Sequence, residues 1–302
     1  MAYVTGITAG TAPGSLVRPA MLQSRNYAPS PDLEPYIRRH YIFAAELPAE
    51  HVIVDRLLSE TAFVRILLKG DWAAEVAPGW WENAGPVAFF GSNSLPLAVR
   101  VKGPFLVAGF AIKPSGWTAL FDESACDFAN RMYRLRDIWG AVADEMFEGV
   151  APAADDAAMI AAMEGALRRR IAALGRPGED RQVARFEAIA RLDSTTRVEI
   201  AASELGLSVR QLERRCLKGF GLTPKMILRR SRFLDMATAM RGFSDPSEEQ
   251  LAALRYFDQS HLNREFRRFT GMTPGAFAQA QTPLLNAGLK LRSEAGPLFS
   301  SD

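Results

Sequence analysis

Two segments of this chain, SVRQLERRCLKGFGLTPKMI at 208–227 and DQSHLNREFRRFTGMTPGAF at 258–277, share one pattern at an offset of fifty residues. Leu212 aligns with Leu262, Arg214 with Arg264, Gly221 with Gly271, and Thr223-Pro224 with Thr273-Pro274. Each copy is a helix-length run stopped by glycine and followed by Thr-Pro, a cap and first-turn proline for the next helix. The C-terminal third is therefore restricted to two copies of one small helical unit.

In the first copy, Thr196-Arg197-Val198-Glu199 has the spacing in which a Thr hydroxyl and a Glu carboxylate satisfy each other's helix-start amides. It predicts a helix with Ile200, Ala201 and Leu205 on one face, ended by Gly206. Ser208 and Gln211 form a second capping box only a few residues on, and two helices joined so tightly around a glycine make a helix-turn-helix. On the second helix Val209, Leu212 and Cys216 share the core side, while Arg210, Arg214 and Lys218 form a stripe opposite. On a lone helix such a stripe is as readily a solvated face. On the second member of a helix-turn-helix it is the face that enters the DNA major groove.

The second copy repeats the logic with other letters. Ser247 and Gln250 open a helix holding Leu251, Leu254 and Phe257; Asp258 opens the next, which buries Leu262, Phe266 and Phe269. That helix exposes Ser260, Asn263, Arg264, Arg267 and Arg268. From Pro224 to Gly242 a long helix separates the two units at a fixed distance. Charge agrees with this division. Residues 181–280 carry 17 Lys+Arg against 11 Asp+Glu, whereas the chain as a whole is nearly balanced at 36 against 34. A basic block on an acidic remainder points to a polyanion that meets the block alone.

These residues resemble the C-terminal DNA-binding domain of the AraC family of bacterial transcription regulators, over about 196–280 and most specifically in DQSHLNREFRRFTGMTP. The resemblance implies two helix-turn-helix units reading two successive major-groove segments. It implies base contacts from Arg210, Glu213 and Arg214 in the first recognition helix, and from Gln259, Ser260, Asn263 and Arg264 in the second. Lys218, Arg267 and Arg268 are expected on phosphate. Two positions depart from the family pattern: Cys216 stands where a large core residue is usual, and RGFSDPSEEQLAALRYF replaces the usual lead into the second unit.

Further upstream, the apolar runs VIVDRLL, FVRILLKG, PVAFFGSN, LAVRVKG and FLVAGFAIKP, broken by turn residues, predict consecutive strands and a small barrel or sandwich. After Pro114 the spacing becomes helical, through DDAAMIAAMEGALRRRIAAL to a Gly175-Arg176-Pro177-Gly178 linker. The expected organisation is α+β: a flexible tail at 1–24, a β-rich domain ending in helices at 25–175, an all-α double helix-turn-helix domain at 176–281, and a second flexible tail at 282–302. This order resembles family members with a cupin-like sensor barrel followed by dimerisation helices. Among the strand aromatics, Trp72, Trp80, Phe89, Phe105 and Phe110 are candidates to line an apolar effector pocket.

The partners implied are double-stranded DNA and a small-molecule effector, with RNA polymerase and a second copy of the chain as further candidates. A constitutive or architectural DNA binder, dimerising through helices within 117–174, is the first alternative; a cupin-type enzyme fused to a DNA-binding domain is the second. An enzyme is not expected. His40 and His51 lack a third histidine nearby, and the sequence contains no nucleophile elbow, phosphate loop or dinucleotide fingerprint, so neither metal nor cofactor is anticipated. Cys126 and Cys216, ninety positions apart, are expected as small core residues rather than a disulfide. No apolar run reaches the roughly 18 residues of a membrane span, and the N-terminus lacks a signal-peptide pattern, which together predict a cytoplasmic protein.

Overall fold

The computed structural model describes residues 3–7, 22–176, 178–245, 247, 254 and 259–294. Its N-terminal apolar runs form antiparallel strands β1 (Tyr3–Ile7), β2 (Leu22–Tyr27), β3 (Ile37–Ala45), β4 (Val52–Leu57), β5 (Phe63–Ala77), β6 (Trp80–Glu82), β7 (Val87–Phe90), β8 (Leu97–Ile112) and β9 (Met132–Arg134). They make one sheet ordered β1-β2-β3-β8-β5-β7-β9, with β4 added on β8 and β6 on β5. LAVRVKG and FLVAGFAIKP are not separate strands. Gly103, at φ 68, lets β8 run through both.

The first half of β8 pairs with β4 and the second half with β3, while β5 follows it across both. Between the halves the β5–β8 register slips at Leu67/Lys69 and Lys69/Asp71, where Gly70 takes φ 97. A Cβ at Gly70 would stand 2.8 Å from the Pro104 carbonyl oxygen, so the close approach of the two strands requires glycine. The sheet thus doubles over. Ile53, Trp72 and Val99 from one half meet Leu22, Phe90 and Val107 from the other in an enclosed core.

Because side chains alternate along a strand, Val64, Ile66, Phe89 and Phe110 point to the opposite face. Two short 3-10 helices (Pro114–Ala119 and Ala125–Asp127), α1 (Arg136–Trp139), α2 (Ala141–Val150) and α3 (Asp156–Leu174) cover that face. Trp117, Phe121, Trp139, Met146, Met163 and Leu167 complete this second core, each worth about 1.5–3 kcal/mol of apolar burial. α3 is capped by the Asp155 carboxylate, which accepts from the Ala158 amide at 2.8 Å, and it ends at left-handed Gly175.

The remaining helices are α4 (Arg181–Leu192), α5 (Val198–Glu204), α6 (Val209–Phe220), α7 (Pro224–Met240), α8 (Gln259–Thr270), α9 (Pro274–Gln279) and α10 (Pro283–Glu294). α7 spans two cores. Its Ile227 and Leu228 pack with Phe186, Leu212 and Cys216 of the first unit, and its Phe233 and Leu234 pack with Phe266, Phe269 and Phe277 of the second. The tail expected from 282 is instead helical over 283–294, because Leu284 enters the sheet core and Leu285 and Leu289 enter the core of the second unit.

Other expectations differ in detail. Arg197, not Thr196, is the N-cap of α5, with no side-chain cap bond. Ile200 and Val209 are exposed, since α5 and α6 are already closed against their neighbours by Ala201, Ala202, Leu205, Leu212 and Cys216. Cys126 is exposed in its short 3-10 helix, whereas Cys216 is buried. The helix expected to start at Ser247, including Gln250, Leu251 and Phe257, and the Asp258 cap fall largely outside the described residues; Leu254 is helical and buried.

Candidate nucleic-acid interface and effector cavity

The first recognition helix is built by its own sequence. Ser208 and Gln211 make both bonds of the capping box, Gly221 ends α6 at φ 75, and Thr223 then caps α7 ahead of Pro224. Leu212, Cys216 and Phe220 bury one side of α6. Arg210, Glu213, Arg214 and Lys218 stand exposed on the other. The C-terminal end of α6 rests on the β-rich half: Ser124 Oγ donates to the Leu217 carbonyl at 3.2 Å, Ser92 Oγ donates to the Phe220 carbonyl, and a Cβ at Gly221 would meet the Ala125 carbonyl oxygen at 2.6 Å.

In the second unit α8 buries Phe266 and Phe269 and exposes Ser260, Arg264 and Arg267; Asn263, Arg268 and Leu262 are half-buried. Gln259 opens the helix. Glu265, fully buried, accepts from Arg229 of α7 at 2.7 and 2.9 Å through Nε, which sets α8 against the long helix. Breaking a buried pair of this kind leaves an uncompensated charge, a large cost.

Arg230 ties α7 to the β-rich half. Buried Arg230 donates to the carbonyls of Ser59 at 3.0 Å, Asn93 at 2.7 Å and Glu60 at 2.5 Å. The same loop, Ser59 to Thr61, forms one wall of a cavity of about 200 Å³, whose other walls are β3, β5, β7, α7 and α10. Leu234 of α7 and Leu284, Leu285, Gly288 and Leu291 of α10 face it. Arg292 of α10 closes the frame: it pairs with Glu60 of the loop, with Asp235 of α7 at 2.6 Å, and with the Ser231 hydroxyl at 2.7 Å.

Burial by itself raises the Glu60 carboxyl pKa, but Arg292, Arg191, Arg230 and Arg38 outweigh burial and pull it down to about 2. At the other end of α10, the Asp55 carboxylate accepts from the Leu284 and Leu285 amides at 2.7 and 3.2 Å. Burial pushes its pKa up to about 6 in spite of those bonds.

A helix-turn-helix domain family matches residues 201–280, the span in which both exposed recognition faces lie. Over those residues the chain carries a helix-turn-helix domain of the AraC type. A domain of this type supports DNA binding and transcription regulation. No curated protein sequence matches it. Among solved structures, ToxT from Vibrio cholerae superposes with a TM-score of 0.45 at 11% identity, over 79% of this chain and 97% of ToxT. ToxT of Vibrio cholerae strain SCE256 with an unsaturated fatty acid bound gives 0.44 at 10%, over 79% and 94%. The AraC-like transcriptional activator CuxR gives 0.28 at 14%, over 72% and 81%. The family statement rests on residues 201–280.

The aromatics singled out for a pocket separate. Trp72 lines the cavity, and Phe105 packs beside it at 5.4 Å between ring centres. Phe89 and Phe110 lie on the opposite sheet face, in the core under the helices, because alternation along β7 and β8 sends them there. Trp80, 65% exposed on β6, reaches neither core. His40 is buried with its Nε2 3.3 Å from Glu164, and His51 is exposed in a loop; among the described residues no cluster of His, Cys, Asp and Glu is arranged to hold a metal. Nor is any described helix long and apolar enough to cross a membrane.

Pattern reading missed Arg65, Arg230 and α10. Arg230 sits in a run of basic residues on α7 with nothing local to mark it as buried. Arg65 does carry a signal, the one charge within FVRILL, a run apolar on both faces.

Proposed function

We propose that a small-molecule effector in the cavity controls how this regulator binds DNA. The observation that carries the proposal is the shared wall. The loop bounding the cavity at Ser59 and Glu60 is held through two carbonyl bonds by Arg230, which lies on the helix that joins the two helix-turn-helix units and also bonds the Asn93 carbonyl. A ligand that fits one position of that loop better than another shifts α7, and with it the relative placement of α6 and α8, by its differential affinity and no more. Base contacts come from Arg210, Glu213 and Arg214 on α6 and from Gln259, Ser260, Asn263 and Arg264 on α8; Lys218, Arg267 and Arg268 hold phosphate. Exposure of Arg210, Arg214, Arg264 and Arg267 supports those roles.

The test uses the full chain. A duplex is selected from a random pool, compounds are screened for a rise in melting temperature, and each stabilising compound is titrated into the DNA-binding assay. At least one should change DNA affinity by roughly 5–150-fold, the usual span of coupling between two sites. Stabilising compounds that all leave DNA affinity unchanged would reduce the cavity to a site without regulatory consequence.

A further inference from the structure

β5 places Phe63, Arg65 and Leu67 on the inner face of the doubled sheet, against Val64 and Ile66 on the outer one. A guanidinium therefore sits where the pattern calls for an apolar side chain. Arg65 is 2% exposed and lines the cavity, yet its Nε and both terminal nitrogens lack any hydrogen-bond partner. The guanidinium carbon lies 5.1 Å from the centre of the Trp72 ring and 5.2 Å from that of Phe90. Those rings offset part of the cost of burying a cation, but they accept none of its five N–H donors in the ordinary sense. Burial lowers the Arg65 pKa only to about 10, so the group is charged at neutral pH.

The surrounding charge does not supply a partner. The cavity is lined by five arginines, at positions 38, 39, 65, 191 and 292, and by a single carboxylate, Glu60, which is already paired with Arg292. Arg38 is taken by Glu187. Arg39, buried next to Tyr41 on β3, also leaves its Nε unpartnered. An unpaired buried cation is costly, and the cost disappears when an anion arrives with acceptor oxygens. Phe43, Phe63, Trp72, Phe90 and Val107 make an apolar lining around Arg65, with Ser24 and Tyr41 among the polar side chains, the Tyr41 hydroxyl donating to the Val64 carbonyl. The volume, about 200 Å³, is somewhat larger than the roughly 150 Å³ apolar cavity that holds one benzene.

We infer that the cavity binds a small apolar monocarboxylate, an aryl or medium-chain acid, whose carboxylate pairs with Arg65 and whose hydrocarbon part lies among the ring side chains beneath α10. This identifies the chemical class of the effector proposed above and so rests on that proposal for its regulatory meaning, though not for binding itself.

The probes are benzoate, 4-phenylbutyrate, octanoate and decanoate, each matched with its uncharged alcohol and titrated calorimetrically into the full-length chain. At least one acid should bind about 10-fold or more tightly than its alcohol, the margin of a charge-assisted hydrogen bond. Arg65→Met should abolish that preference while melting no lower than wild type, since it removes an unpaired buried charge; Arg65→Lys should retain part of the preference. Equal binding of acids and alcohols, unchanged acid binding in a folded Arg65→Met chain, or no binding by any of the four acids would overturn the inference. DNA affinity is read in the same samples. Alcohols that alter DNA binding independently of Arg65 would leave the effector proposal standing and the carboxylate inference refuted. Acids that bind through Arg65 without altering DNA binding would do the reverse.

Discussion

Arg264 and Arg267 stand three residues apart on α8, both exposed, and they are proposed to do different work on a duplex, base reading and phosphate holding. Arg264 aligns with Arg214 on α6 and belongs to the face proposed to reach base edges, where a bidentate guanidinium discriminates among base pairs. Arg264→Ala should cost about 1–3 kcal/mol on the selected duplex and relax the choice of base at one position. Arg267→Ala should weaken all sequences alike and reduce the salt dependence. Both read out in competition binding at two salt concentrations; equal and sequence-independent losses would remove Arg264 from the base-reading set. These surface arginines were legible in the sequence because a 3.6-residue period separates them from Leu212 and Cys216, or from Phe266 and Phe269. Arg65 was not. A strand apolar on both faces gives no period by which to tell which core receives the charge, and the decision comes from the fold of the sheet at Gly70.

At the scale of elements, α10 shows most clearly what pattern reading loses. LLNAGLKLRSE follows a Gln-Thr-Pro break and looks like a tail, because its leucines serve two different cores and form no single apolar stripe: Leu284 fills the sheet, while Leu285 and Leu289 fill the second unit. Capping boxes and glycine stops, by contrast, are local chemistry, and Ser208, Gly221, Thr223 and Thr273 act as their sequence positions predict. The α5 start did not follow its Thr-x-x-Glu spacing, and Arg197 took the cap position. The docking of α10 carries a pH signature through Asp55. Its folded pKa, about 6, lies above the unfolded value of about 3.9, so the native state favours the protonated acid. Its contribution to stability is complete below the unfolded pKa and is lost as pH rises through about 6. Melting temperatures of wild type and Asp55→Asn should therefore run together below about pH 4 and separate between about pH 4 and 6, with wild type losing stability relative to the variant over that range and no further change above it. Parallel curves across that range would show that Asp55 is not titrating there.

For the whole molecule, the β-rich half, the long helix and the second unit form a continuous chain of contacts: Glu60 and Ser59 to Arg230, Glu60 to Arg292, Arg292 to Asp235, and Arg229 to Glu265. The cavity proposed to take an effector and the helix that joins the two helix-turn-helix units are thus parts of one framework, and the proposal stands on α7 holding those units at one separation. The most direct measurement is the footprint and affinity of the full chain on its selected duplex and on the same duplex with five base pairs inserted between the two protected segments. The account predicts two protected major-groove segments about 10–10.5 base pairs apart on one face. It also predicts that the insertion, which turns one segment to the far side, forfeits much of the roughly 10³-fold or greater margin over non-specific DNA. Full affinity on the inserted duplex, with both segments still protected, would contradict it.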